Sequence, residues 1–323
     1  MTTIACVIPA YNEERFIAGV IQSVPAFVHQ IIVVNDASRD GTARVVDSLN
    51  DPRVVLINHD RNTGVGGAVA SGYKAALELA ADIVVKLDGD GQMNSADMRK
   101  LIGPILKGRA DYAKGVRFRD AEVIRHMPFV RFIGNLGLSF LTKIASGYWD
   151  IFDPTNGFTA IERTALESLK LEKLSRDYFF ETDMLLQLYR ISAVVEDVEM
   201  KASYGDEESH LSPMKVFFTF PARLFKGLCK RIIWRYFIRD FTAFSAFFSS
   251  GVVLFGFGLI FGLYRWILNS FVLRIPSPLG TIMLAAVPLI LGFQLLLQAA
   301  VLDIHNVPTI PLQRNEDEGE FRD

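Results

Sequence analysis

Over its first two hundred residues the chain alternates short apolar runs with amphipathic stretches. Ile4 to Pro9, Ile31 to Val34, Val54 to Ile57 and Ile83 to Leu87 are apolar and mostly β-branched, and such runs read as buried strands. Between the first two, Phe16, Ile17, Val20, Ile21 and Val24 recur at helical spacing, with Asn12 as the N-cap candidate. A second helix is expected from Thr42. A third opens at Asn62-Thr63-Gly64-Val65-Gly66-Gly67-Ala68 and runs to about Ala80. Ala110 to Val116 is a further strand, and Phe179-Phe180-Glu181-Thr182-Asp183-Met184 starts a helix towards Leu188. A β-α-β-α-β-α-β order with short connections predicts a mostly parallel sheet flanked by helices, an α/β fold. Ligands of such sheets bind beyond the carboxyl ends of the strands.

The pattern changes after residue 210. Lys215, Arg223, Lys226, Lys230, Arg231, Arg235 and Arg239 are interleaved with Phe217, Phe220, Leu224, Leu228, Trp234 and Phe237. A basic, aromatic amphipathic stretch is suited to an anionic membrane surface. Pro221 is expected to divide it into two short helices. Phe241 to Leu263 carries no charge and is long enough to span a bilayer, with Tyr264-Arg265-Trp266 as an interfacial anchor. Asn269 to Pro278 reads as a connection. Leu279 to Leu302 is a second span, interrupted by Pro288, Gln294 and Gln298. Glutamines in lipid want hydrogen-bond partners, which hairpin packing or a homo-oligomer formed through the transmembrane helices would supply. The competing reading is a buried helical hairpin in a soluble protein.

The expected division is therefore 1–210 α/β domain, 211–240 basic interfacial helices, 241–302 transmembrane hairpin (about 241–263 and 279–302) and 303–323 acidic tail. The basic run before the first span puts the N-terminal domain in the cytoplasm, and two spans return the tail to the same side.

Composition agrees with a mixed chain: half of the 323 residues are hydrophobic, with the excess concentrated at 241–302. A net charge of −2 gives no global field for nucleic acid. Two cysteines, Cys6 and Cys229, form no disulfide framework. Met1-Thr2-Thr3-Ile4 has no basic region before an apolar core, so no cleavable signal is expected. His59, His126, His210 and His305 lack zinc spacing. Neither Ser38 nor Ser71 has an evident histidine partner, which leaves a triad hydrolase unsupported.

Chemistry concentrates where the apolar runs end. Val84-Val85-Lys86-Leu87-Asp88-Gly89-Asp90-Gly91-Gln92 closes a strand with two carboxylates. If the extended form persists, Asp88 and Asp90 share a face. Two such carboxylates repel unless a cation lies between them. Oxygen-only ligands suit Mg2+ or Mn2+, and Gln92 could add a neutral oxygen. Tyr11 to Glu13 and Asp36 to Thr42 end two other strands, so three polar clusters converge on one sheet edge. The glycines at 64, 66 and 67 fit neither a dinucleotide fingerprint nor a P-loop.

Three stretches, Pro9-Ala10-Tyr11-Asn12-Glu13-Glu14, Val34-Asn35-Asp36-Ala37-Ser38-Arg39-Asp40-Gly41-Thr42 and Leu87-Asp88-Gly89-Asp90-Gly91-Gln92, together resemble family 2 glycosyltransferases of the GT-A fold. More narrowly they resemble the dolichyl-phosphate mannose synthase and polyprenyl-phosphate glucosyltransferase branch, over about residues 4 to 205. The resemblance implies a nucleotide-sugar site formed by Pro9, Ala10, Tyr11, Asn12, Glu13, Asp36, Ser38, Asp88 and Gly89, with Asp36 accepting hydrogen bonds from the base. It implies that Asp88, Asp90 and Gln92 hold the divalent metal on the donor diphosphate, Asp90 being catalytic in that sense. It also places Arg117 and Arg131 where relatives contact the phosphate of the lipid acceptor. Arginine suits that task because its planar fork makes two charge-assisted hydrogen bonds. Asp153-Pro154-Thr155-Asn156-Gly157-Phe158 resembles a turn that borders the sugar and acceptor pocket. Asp153, Asn156, Glu181 and Asp183 are its acceptor-side candidates.

The expected activity is inverting, metal-dependent transfer of a hexose from a nucleotide diphosphate sugar to a polyprenyl or dolichyl monophosphate at the membrane. A UDP-sugar is favoured, since two C-terminal spans resemble the bacterial glucosyl branch, and GDP-mannose stays open. The competing readings are a transferase acting on a hydroxyl of a lipid-linked sugar and a non-catalytic nucleotide-sugar sensor. A processive polysaccharide synthase is a weaker one, because Trp234-Arg235 does not match its Gln-x-x-Arg-Trp motif.

Overall fold

A computed structural model describes residues 2–116, 129–153, 156–200 and 213–314. The apolar runs become strands β1 (Ile4–Ala10), β2 (Gln30–Asn35), β3 (Val54–Asn58) and β4 (Ile83–Lys86), followed by β5 (Tyr112–Val116), β6 (Thr159–Glu162) and β7 (Val195–Glu199). They form one sheet in the order β3-β2-β1-β4-β6-β5-β7. β6 runs antiparallel to both β4 and β5, and the other paired neighbours are parallel.

The helices of this part are α1 (Ile17–Ser23), α2 (Thr42–Ser48), α3 (Val65–Glu78), α4 (Met98–Leu106), α5 (Phe129–Ser146), α6 (Arg163–Ser168) and α7 (Phe180–Arg190). Strand alternation divides their packing. Cys6, Ile8, Ile31 and Val33 join a core with Ile17, Val20 and Ile21 of α1 and Leu101, Ile102 and Ile105 of α4. Val7 points to the other face, against α3, where Gly72 leaves no room for a Cβ. Each fully buried Ile, Leu or Val of these layers contributes about 1.5–3 kcal/mol. The chain passes from β1 outwards through β2 and β3, then returns to the other side of β1 with β4. That reversal lies between the carboxyl ends of β1 and β4, the place where a ligand crevice forms in sheets of this kind.

The chain forms two compact units, residues 1–228 with 308–323, and residues 229–307. Helix α8 (Pro213–Ile233) is continuous through Pro221, against the expected break. Its apolar side explains this: Phe220 and Leu224 bury against Phe179, Leu186 and Ala145 of the first unit. Arg223 pairs with Asp177 at 2.7 Å.

In the second unit, α9 (Ala243–Ile267) and α10 (Leu279–His305) are both long and apolar enough to cross a membrane. The first continues as a wider-turned segment to Leu273, so the connection is shorter than the expected Asn269 to Pro278. The two helices meet backbone to backbone through glycine: a Cβ on Gly258 would sit 2.6 Å from the Leu289 nitrogen. Arg231 makes a two-point ion pair with Asp303, at 2.6 and 2.8 Å, and the Tyr236 hydroxyl donates to the same carboxylate at 2.6 Å. All three side chains are buried. Lys226, Lys230, Phe225, Trp234 and Ile238 remain exposed along this basic stretch.

The segment after α10 rejoins the first unit. The Leu312 nitrogen donates to Asp111 at 2.8 Å, and the Gln313 side chain donates to the Ala110 carbonyl at 3.1 Å. Asp111 also accepts from the Val194 nitrogen at 2.7 Å, and burial raises its pKa. Residues 315–323, with the acidic run, lie outside the described residues.

Two predictions follow from these anchors. Asp111→Ala leaves the half-buried Val194 and Leu312 backbone donors without their acceptor and lowers stability by about 1–2 kcal/mol in denaturant titration. Arg231→Met or Asp303→Leu alone strands a buried charge and costs about 3–5 kcal/mol, whereas the double substitution recovers most of that loss in thermal unfolding.

Candidate active site

Lys86 ends β4 with its side chain fully buried. Its Nζ lies 2.7 Å from Asp88 Oδ1 and 3.3 Å from Glu181 Oε1, in the first turn of α7. Burial opposes the ammonium charge, but the two carboxylates outweigh burial and raise its pKa. Gly157 lies directly over this pair: a Cβ there would be 2.5 Å from Lys86 Nζ and 2.6 Å from Asp88 Oδ2. A second buried lysine, Lys114 on β5, braces the same turn by donating to the Asn156 carbonyl at 2.5 Å. Burial pulls its pKa down to about 8, against the attraction of Asp153, Glu181 and Asp197.

The acidic stretch does not stay extended. β4 stops at Lys86, and Gly89 and Asp90 form a turn followed by Gly91 at φ +73°. The expectation that Asp88 and Asp90 share a strand face therefore gives way to a compact turn. In it Asp90 Oδ1 accepts from the Gln92 nitrogen at 3.0 Å. Gly89 permits the turn to pack on the β1 loop, since a Cβ would already lie 3.2 Å from the Pro9 carbonyl.

Among the described residues no three His, Cys, Asp or Glu side chains surround a common point. The donor set of Asp88, Asp90 and Gln92 is nevertheless all hard oxygen on one tight turn. That chemistry fits a divalent cation whose remaining ligands come from phosphate.

Hydrogen bonds stitch the loops after β1 and β2 together. The Asn12 nitrogen donates to Ser38 Oγ at 3.0 Å, and the Arg39 nitrogen donates back to Asn12 Oδ1 at 2.8 Å. The Glu13 nitrogen donates to Thr42 Oγ1 at 2.9 Å, and the Gly41 nitrogen to Glu14 Oε2 at 2.9 Å. Asn12 adopts φ +61°, so it is a left-handed turn residue and not the N-cap of α1, which begins at Ile17. Asparagine tolerates that conformation because its short side chain bonds locally. Pro9 and Ala10 are the final residues of β1, and Tyr11 beyond them is exposed.

Asp36 is buried and already engaged. It accepts from the Thr63 nitrogen, Thr63 Oγ1 and the Gly64 nitrogen at 2.8–3.1 Å, and meets His59 Nδ1 at 2.7 Å. His59 Nε2 in turn lies 2.9 Å from Ser71 Oγ. Ser71 thus does have a histidine partner, contrary to the sequence reading. That chain holds the β3–α3 loop against β2, with Ser71 inside helix α3. The glycines at 64 and 66 serve close approach: the Gly66 nitrogen donates to the Arg176 carbonyl at 3.0 Å.

The acceptor-side candidates divide. Glu181 faces Lys86. Asp183 accepts from the Ser175 nitrogen and hydroxyl at 2.8 and 3.0 Å. Asn156 is buried and donates to the Gly115 carbonyl at 2.7 Å, and Asp153 is buried near Lys114. Arg117 lies outside the described residues. Arg131 falls in α5, with its side chain outside them.

Residues 5–170, half of the chain, match the model of glycosyl transferase family 2. The chain belongs to that family. This glycosyltransferase is 33% identical over 215 residues to a UDP-N-acetylglucosamine–dolichyl-phosphate N-acetylglucosaminyltransferase of Methanococcus voltae, covering 62% of this chain and 85% of that one. It is 29% identical to a polyprenol monophosphomannose synthase of Mycolicibacterium smegmatis, over 64% of this chain and 79% of that one. In fold it is similar to glucosyl-3-phosphoglycerate synthase of Mycobacterium tuberculosis, solved with Mn2+, UDP and glucosyl-3-phosphoglycerate. There the TM-score is 0.52 at 21% identity, covering 71% of this chain and 80% of that one. The transferase has the GT-A architecture, and its relatives fall in the prenyl-phosphate branch that the three motifs resemble.

Sequence reasoning gave no role to Lys86 or Lys114, and took Gly157 only as part of a turn. The available signal was a lysine, Lys86, set between Val85 and Leu87 in an otherwise apolar strand, where an unpaired charge cannot remain. Lys86→Met is predicted to destabilise the transferase by about 3 kcal/mol, because Asp88 and Glu181 lose their shared cation. Chemical denaturation of the variant beside the parent protein measures this.

Proposed function

We propose that this transferase moves a hexose from a UDP-sugar to a polyprenyl or dolichyl monophosphate, with inversion and with Mg2+ or Mn2+, at the cytoplasmic face of a membrane. The observation carrying the choice of acceptor is the commitment of both candidate bases. A hydroxyl acceptor has a pKa far above 7 and needs a base. Glu181 is held by Lys86 and Asp183 by Ser175. A phosphate monoester has a second pKa of about 6 and arrives already anionic. The names of the Methanococcus and Mycolicibacterium relatives, a dolichyl-phosphate transferase and a polyprenol monophosphomannose synthase, support the same class. Two long apolar helices beside an exposed basic, aromatic stretch suit a lipid-borne acceptor. The lysines and arginines before the first helix favour a cytoplasmic catalytic domain.

In this reading Tyr11 offers its exposed ring to the base at the mouth of the β1–β4 crevice. Asp36 contributes by fixing the β3–α3 loop beside the base, since its oxygens are taken by Thr63, Gly64 and His59. Asp88, Asp90 and Gln92 would hold the divalent cation, which when bound neutralises charge developing on the leaving diphosphate. Lys86 fixes Asp88 before the donor arrives. Arg117 and Arg131 would grip the lipid phosphate and align its oxygen with the anomeric carbon, a contribution of orientation.

The test is transfer by the detergent-purified protein of radiolabel from UDP- and GDP-sugars to polyprenyl phosphate. Label is expected in the organic phase from a UDP-sugar, lost with EDTA and in Asp90→Asn, and reduced at least about a hundredfold in Arg117→Ala. Label entering only a lipid-linked sugar would mean that a hydroxyl is the acceptor. Donor binding with no transfer to either lipid would favour a sensor.

A further inference from the structure

We propose that Lys86 and Glu181 are positioning residues that together set how tightly the site holds a divalent cation. The ammonium guards Asp88 while the site is unloaded and passes to Glu181 when a cation takes Asp88. The inference rests on the reading of Asp88, Asp90 and Gln92 as the cation's ligands, and names the residues that oppose and permit loading.

Lys86 Nζ meets Asp88 Oδ1 at 2.7 Å and Glu181 Oε1 at 3.3 Å, so one ammonium is shared unequally between two carboxylates. The lysine side chain is 1% exposed, against 27% for Asp88 and 14% for Glu181. An ammonium that deep cannot turn to water and must stay with a carboxylate. Among the described residues, Asp88 and Glu181 are the carboxylates within ion-pair distance of it. The other Asp88 oxygen is covered by the Gly157 backbone, where a Cβ would lie 2.6 Å from Oδ2.

Divalent cations of this kind are drawn to the negative charge of carboxylate oxygens. At Asp88 that charge is largely neutralised by Lys86, and two cations on one carboxylate repel each other. Loading is therefore a competition between the entering cation and the ammonium. Glu181 decides the outcome, because it is the partner to which the ammonium can move without losing a counter-charge. Glu181 lies in the first turn of α7, which also bears Asp183. A cation arriving with the donor thus strengthens the Lys86–Glu181 pair and draws α7 towards the end of β4. Loading on the donor side and tightening on the acceptor side become one event. A purely structural salt bridge behaves in the opposite way: loss of Lys86 would only loosen the acidic turn and weaken the cation.

The test titrates Mn2+ into the full chain in detergent with UDP present, reading free Mn2+ by electron paramagnetic resonance. Lys86→Met is expected to bind Mn2+ at least about tenfold more tightly than the parent. Glu181→Gln leaves Lys86 paired with Asp88, so it strands no buried charge and keeps the test open if Lys86→Met fails to fold. It is expected to bind Mn2+ about tenfold more weakly. In the Lys86→Met background the same Glu181→Gln change is expected to alter affinity by less than about twofold, since Glu181 acts through the lysine. Amide hydrogen exchange at residues 180–184 is expected to slow when Mn2+ and UDP are added to the parent, and not in Lys86→Met. Weaker binding in Lys86→Met, unchanged binding in Glu181→Gln, or an equal Glu181→Gln loss with and without Lys86 would each overturn the hand-over. Parent protein that binds UDP but no Mn2+ would overturn the cation reading itself.

Discussion

A buried ammonium holds the catalytic end of this protein together. Lys86 sits at the end of a central strand, where burial alone would discharge it, and keeps its proton because Asp88 and Glu181 share it. Three separate parts of the chain are fixed by that arrangement. The acidic turn after β4 starts from an anchored Asp88, α7 is tied to the sheet through Glu181, and Gly157 must lack a side chain to lie over both. Coulomb attraction at this depth is strong, but so is the penalty for a charge left alone. The geometry is therefore close to all-or-none: Lys86, Asp88 and Glu181 stand or fall as one group.

Much of the fold could be read from the sequence, because a parallel sheet buried on both faces writes itself as apolar runs. The strand positions, the mostly parallel order and the convergence of Tyr11, Asp36 and Asp88 on one edge were legible for that reason. What escaped were relations between distant residues. Lys86 and Glu181 are 95 positions apart, and nothing in either segment announces the other. His59 and Ser71 pair through the β3–α3 loop, whose path no local pattern gives. Pro221 signalled a helix break by local chemistry, and tertiary burial of Phe220 and Leu224 overrode it. Asn12 showed the opposite: a good cap by type, it was used instead for its tolerance of a left-handed turn.

The site is also less polar in function than in composition. Asp36, Asn156 and Asp183 are motif residues that make hydrogen bonds to the protein's own backbone and side chains. They shape loops, and the surface left for ligands is formed by what those loops expose, such as the Tyr11 ring. Buried polar groups must be satisfied internally, so a polar motif residue below the surface is more often a brace than a contact.

The return of residues 308–314 to Asp111 makes the catalytic unit discontinuous in sequence, with the apolar helices spliced into it. During synthesis the sheet can form early, but Asp111 cannot gain the Leu312 donor until α9 and α10 have both left the ribosome. Completion of the catalytic unit is thereby ordered after delivery of its hydrophobic hairpin. A chain whose hairpin fails to find its place arrives with an incomplete enzyme, because the two halves of that contact are made 201 residues apart with the hairpin between them.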